Sequence, residues 1–160
     1  MRGPRLGKRL GAVLSLVPEA ARTVADVGAG HGALGARLAA KAGINVIATE
    51  ARTGPYAELC RNVSAWHMRD RLDLRQGSGL DVLGSGEVDA VVVAGVSART
   101  ALDVCSQAPA KRVRWVVIQC VQGQGEVEPW LNARGWRVLC RVDVRERRRV
   151  YPTWLAEVVA

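Results

Sequence analysis

The chain is a succession of short apolar runs whose period changes from one to the next. Val24-Ala25-Asp26-Val27, Val46-Ile47-Ala48, Val88 to Val93 and Val113 to Gln119 are near-continuous apolar stretches, the pattern of strands buried on both faces of a parallel sheet. Leu6, Leu10, Val13, Leu14 and Val17 recur at helical spacing and predict a helix over 5–17, ended by Pro18. Further helices are predicted over 33–42, from Gly54-Pro55 to Trp66-His67 (Tyr56, Leu59, Cys60 and Val63 on one face), over 98–106, and over 127–134 up to Gly135. Leu72 to Gln76 alternates as a strand and Gly77 to Leu80 reads as a loop. Trp136 to Val144 and Val150 to Val159 are two long strands joined by an arginine-rich tip. Strands thus alternate with helices five times before two strands follow directly. Alternation predicts an α/β, Rossmann-like sheet covered on both faces. The closing pair predicts a C-terminal hairpin that adds one antiparallel strand. Residues 1–160 show no repeat or linker and read as a single domain.

The richest stretch is Thr23 to Gly32, a strand running into a turn with glycines at 28, 30 and 32. Bare backbone there lets a ligand approach closely, and the helix that follows offers free N–H groups. Asp26 ends the strand, and Glu50 ends the next one, 24 residues on. An acid about 20 residues past such a turn suits the hydroxyls of a ribose. Gly28-x-Gly30-x-x-Ala33 also fits the dinucleotide fingerprint, so a nicotinamide oxidoreductase is one reading. Asp26 tilts the choice, because a carboxylate there repels a pyrophosphate and attracts a cationic ligand such as S-adenosylmethionine.

Charge adds a second theme. Twenty-three Lys and Arg against 15 Asp and Glu leave a net charge of +8. Two clusters stand out: Arg2, Arg5, Lys8 and Arg9, then Arg141, Arg145, Arg147, Arg148 and Arg149. Such a balance points to a polyanionic partner. Cys60, Cys105, Cys120 and Cys140 lie in apolar runs without C-x-x-C spacing, and there are two histidines. They read as reduced core cysteines of a cytoplasmic protein, without metal, signal peptide or membrane span. The five tryptophans read mostly as core.

The ordered set Leu6-Gly7-Lys8-Arg9-Leu10, Leu16-Val17-Pro18, Val24 to Gly28, Glu50 with Gly54-Pro55, and Arg75 to Leu80 carries a family resemblance. So do Ala94-Gly95, Ile118-Gln119, Trp130-Leu131, Gly135-Trp136 and Val150-Tyr151. The chain resembles class I S-adenosylmethionine-dependent methyltransferases, and among them the bacterial tRNA (adenine-22-N1)-methyltransferase family. The resemblance implies a seven-strand sheet, mostly parallel with one antiparallel strand. It also implies methyl transfer from S-adenosylmethionine to N1 of a tRNA adenine, in the cytoplasm. The candidate cofactor residues are then Asp26, Gly28, Gly30, Glu50, Ala51, Ser78, Gly79 and Ala94. Gly95, His31 and Gln119 are the candidates for positioning the base. Arg5, Lys8, Arg9, Arg145, Arg147 and Arg148 are those for contacting tRNA or another structured RNA.

Three places depart from the family pattern, all where the base should meet the methyl group. Gly30 replaces an Asp, Gly95-Val96-Ser97-Ala98 replaces Gly-Met-Gly-Gly, and Gln119-Cys120-Val121 replaces Gln-Pro-Asn. The family's C-terminal coiled-coil domain has no counterpart before Ala160, which leaves room for a protein partner in its place. These departures motivate an alternative reading as a catalytically impaired, methyltransferase-like RNA-binding protein.

Overall fold

The computed structural model describes residues 3–160; Arg2, part of the N-terminal basic cluster, lies outside them. Helices α1 (Lys8–Leu16), α2 (Ala33–Ala39), α3 (Thr53–Ala65), α4 (Ala98–Ser106) and α5 (Val127–Ala133) flank a seven-stranded sheet. Its strands are β1 (Thr23–Val27), β2 (Asn45–Glu50), β3 (Leu72–Gln76), β4 (Ala90–Ser97), β5 (Trp115–Gln122), β6 (Arg137–Glu146) and β7 (Arg149–Glu157). The spatial order is β3-β2-β1-β4-β5-β7-β6. The pairings β3–β2, β2–β1, β1–β4 and β4–β5 are parallel, and β7 runs antiparallel between β5 and β6. The order reverses between β1 and β4, so a crevice opens outside the carboxyl ends of those strands.

Strict alternation of side chains across the pleat builds two cores. Val24, Val46, Ala48, Val92 and Val117 face a cluster with Val13, Leu34, Leu38, Leu59 and Val63 of α1 to α3. Ala25, Val27, Val91, Val93, Val116 and Ile118 face the cluster with Ala101, Cys105, Val127 and Leu131 of α4 and α5. Each fully buried aliphatic side chain contributes on the order of 1.5–3 kcal/mol against the chain entropy.

The structure corrects the sequence reading in four respects. The alternation is interrupted once: the segment 77–89 between β3 and β4 consists of turns, closed by bonds such as Asp81 N–H to Ser78 O (3.0 Å). Glycines at 77, 79, 84 and 86 make a helix there expensive; Leu80 and Leu83 cover the sheet face in its place. Strand β4 continues to Ser97, with register shifts around Ala94 and Val96. Helix α1 begins at Lys8, after an extended Gly7. Cys140 is exposed on the edge strand β6 and Cys60 is half-buried, whereas Cys105 and Cys120 are buried and their thiols pushed up to about 12 and about 11 by desolvation.

Candidate active site

A cleft of about 900 Å³ occupies the crevice at the β1/β4 reversal. Asp26, Gly28, Gly30 and His31 line it from the end of β1 and the turn, and Glu50 and Ala51 from the end of β2. Ser78 and Gly79 close one side, and Ala94 and Gly95 line it from β4. One cavity therefore gathers every predicted cofactor residue.

Asp26 is 3% exposed, and its Oδ2 is enclosed without a hydrogen-bond partner. Desolvation pushes its carboxyl up to about 7; the Gly35 N–H opposes the shift and the Glu50 carboxylate adds to it. Such a group gains from a cation brought beside it. Glu50 is also buried, and its carboxylate accepts from the Gly30 N–H (3.2 Å) and the Arg52 N–H (3.3 Å). Between the two acids the backbone at Gly28 and Gly30 is open: a Cβ at either would meet nothing within 4 Å. The site offers two carboxylate acceptors around unobstructed main chain, which fits a ligand carrying a cationic amino acid portion and a ribose.

His31 is exposed at the start of α2, where its Nδ1 accepts from the Ala33 N–H (3.3 Å) and its ring lines the cleft. Gln119 does not reach the cleft. It is 1% exposed, its Oε1 accepts from the Gly95 N–H (3.0 Å), and its Nε2 donates to the Cys120 carbonyl (2.9 Å). Its chemistry is therefore indirect: it holds the Gly95 peptide with the N–H turned away from the ligand. Sequence reasoning missed the wall supplied by α4 and the residue that follows it, namely Arg99, Thr100, Asp103, Val104 and Gln107. Their spacing marks one polar helix face, which from sequence alone is indistinguishable from a solvated one. Gln107 Oε1 accepts from the Leu80 N–H (2.9 Å) and ties the Ser78-Gly79 loop to α4. The other anchor of that loop is Arg75, whose guanidinium donates to Glu87, Asp73 and the Val82 carbonyl. Hydrogen bonds from the Arg75 guanidinium, with the Gly84 N–H beside them, hold the Glu87 carboxyl down at about 2.

The sequence signature described as a methyltransferase domain matches residues 6–153. The chain belongs to that methyltransferase domain family. The methyltransferase domain is 28% identical over 157 residues to the tRNA (adenine(22)-N(1))-methyltransferase of Bacillus subtilis strain 168, covering 96% of this chain and 65% of that protein. It thus spans just under two thirds of the curated relative's length. The crystal structure of the B. subtilis M1A22 tRNA methyltransferase TrmK superposes with a TM-score of 0.86 at 25% identity, covering 97% of this chain and 67% of that one. Streptococcus pneumoniae Sp1610 in complex with S-adenosyl-L-methionine gives 0.86 at 25% identity, over 96% and 73%.

The basic residues fall in a second place. A neighbouring cleft of about 750 Å³ is lined by Arg9, Glu146, Arg147, Arg148, Arg149 and Tyr151. Arg5, Lys8 and Arg145 are exposed but do not line it. The remaining member of the C-terminal cluster, Arg141, is engaged by Asp143 (2.9 Å) and Glu128 (2.8 Å).

Proposed function

We propose that this methyltransferase domain binds S-adenosylmethionine in the cleft around Gly28 to Gly32 and transfers its methyl group to N1 of an adenine in tRNA. The observation that carries the reading is the pair of buried acids on the open glycine turn. Asp26, a buried carboxylate with no cationic partner beside it among the described residues, suits a cationic group, and Glu50 suits the two ribose hydroxyls. A pyrophosphate laid over the same turn would meet both carboxylates, which weighs against a nicotinamide cofactor. The names of the relatives support the acceptor, and the net charge of +8 agrees with an RNA partner. Such a substrate would place the protein in the cytoplasm; among the described residues no helix is long and apolar enough to cross a membrane.

When bound, S-adenosylmethionine supplies a methyl group on a cationic sulfur, already electrophilic. The chain has correspondingly little chemistry to perform. Adenine N1 carries a free lone pair at neutral pH, so no residue has to remove a proton before transfer. What the protein supplies is position, an effect that can be worth ~7 kcal/mol or more. Gly95 leaves the mouth of the cleft open to a base, since a Cβ there would meet nothing within 4 Å. Gln119 occupies the Gly95 N–H, so that donor is not offered to a base; an acceptor at the Ala94-Gly95 turn would suit the N6 amino group of adenine. His31 borders the same opening.

The reading is tested by offering the purified protein methyl-labelled S-adenosylmethionine with unmodified tRNA and, separately, ribosomal RNA. Label in the tRNA is the expected result. Cofactor binding without label in either RNA would overturn the enzyme reading in favour of a non-catalytic RNA-binding protein.

A further inference from the structure

The two basic clusters, remote in sequence, meet in the fold. Arg9 of α1 is pinned to the hairpin: its Nε lies 3.1 Å from the Glu146 carboxylate and its guanidinium stacks 4.6 Å above the Tyr151 ring. Both bonds turn Arg9 inward, so it acts as a strut that fixes the β6–β7 tip against α1. Glu146 is thereby neutralised. The remaining cations of the tip cleft, Arg147, Arg148 and Arg149, are exposed, and among the described residues no acid hydrogen-bonds or ion-pairs with them. The next residue of α1, Leu10, lines the cofactor cleft. Adjacent residues of α1 thus line the two cavities.

The tip is also built against its own stability. Glu146 pairs with Arg149, leaving Arg147-Arg148 as a two-residue turn. Arg147 adopts φ +54°, a left-handed conformation that costs a non-glycine residue about 1–2 kcal/mol and that hairpins ordinarily give to Gly or Asn. Three adjacent arginines repel one another as well. Strain and like charge of this kind lower stability without serving the fold, and residues so placed cluster at ligand-binding surfaces.

We infer that the Arg147-Arg148-Arg149 tip is a phosphate grip for the RNA strand entering the cofactor cleft over α1, with Arg9 as its positioning strut. The proposal rests on the RNA-methylation reading and adds to it the surface that holds the substrate and the direction from which it arrives. A chain of sugar-phosphate carries the repeated charges that three splayed guanidinium groups would bind, whereas a protein partner would have to match them with acidic side chains.

The test compares wild type, Arg147→Asn, the triple variant Arg147→Asn/Arg148→Gln/Arg149→Gln, and a control with matched charge loss, Arg61→Gln/Arg69→Gln/Arg71→Gln, three exposed residues on and after α3. Affinity for an unmodified tRNA transcript is read by fluorescence anisotropy across salt concentrations, and S-adenosylhomocysteine binding by calorimetry. Arg147→Asn should melt at a higher temperature yet bind RNA more weakly, with the log–log salt slope reduced by about 1. A merely structural turn would gain stability without losing affinity. The triple variant should lose roughly three units of slope and at least tenfold in affinity at low salt, with cofactor binding unchanged and the control close to wild type. Wild-type affinity and slope in the triple variant would overturn the grip while leaving the methylation reading intact. Absence of salt-dependent RNA binding by the wild type would overturn both.

Discussion

At the scale of single residues the account turns on two carboxylates. Replacing Glu50 by alanine removes an acceptor aimed at the ribose and should weaken S-adenosylmethionine binding by ~1–3 kcal/mol, readable by titration calorimetry. Asp26 predicts a pH dependence whose sign follows from its burial. Its carboxyl, ordinarily at 3.8, stands at about 7 in the free protein, so at pH 5 it is largely protonated. A cation at that site favours the ionised form, so cofactor affinity should rise from pH 5 to 8, by up to about tenfold per unit where the proton must be released on binding. Folding alone has the opposite sense: a raised carboxyl binds a proton more tightly folded than unfolded, so its contribution is full below pH 3.8 and is lost as pH rises through about 7. Asp26→Asn should abolish the affinity trend, and His31→Gln, on the same cleft, should keep it. These acids were legible because strand ends beside a glycine turn have few uses. The role of Gln119 was not legible, since a strand-end glutamine can point into a crevice or, as here, back along its own sheet to the Gly95 N–H.

At the scale of elements, the turn and the loop are held by different means. Gly32 caps α2 at φ +89°, and a Cβ there would lie 2.5 Å from Leu59 Cδ1 in the core. Gly32→Ala therefore meets a left-handed penalty of about 1–2 kcal/mol and a packing clash, and should lower Tm by at least about 2–4 °C. The Ser78-Gly79 loop relies on Arg75. The Glu87 carboxyl, held at about 2 by that guanidinium against an ordinary 4.5, contributes stability above pH 4.5 that is lost as pH falls toward 2. Arg75→Gln should flatten this acid limb in thermal melts and weaken cofactor binding through the slackened loop. Unchanged melts from pH 2 to 5 would remove the clamp from the account. Helices and strands were readable from apolar period, β3 and α4 to the residue. The loop at Gly77 to Leu80 was legible from its glycines, but not that turns would run on to residue 89 with Leu80 and Leu83 covering the sheet face.

At the scale of the whole molecule, alternation and handedness rules gave the parallel sheet with its antiparallel closing strand, but contacts between distant segments lay beyond them. Nothing in the spacing of Arg9 and Glu146 announces an ion pair; it exists because α1 packs against β6 and β7. Cys140 was misplaced for a related reason. Its apolar neighbourhood Val138-Leu139 belongs to an edge strand whose outer side faces solvent. The fold brings the acids of β1 and β2, the Gly95 turn and the arginine tip to the carboxyl-end edge of the parallel strands, where the proposed methyl transfer to RNA would use them. The most direct measurement is the identity of the methylated nucleoside. After incubation with unmodified tRNA and S-adenosylmethionine, complete digestion and mass spectrometry should yield 1-methyladenosine, absent when Asp26→Asn/Glu50→Ala protein is used. A methyl group found only on another atom or another base, or on none, would contradict the account.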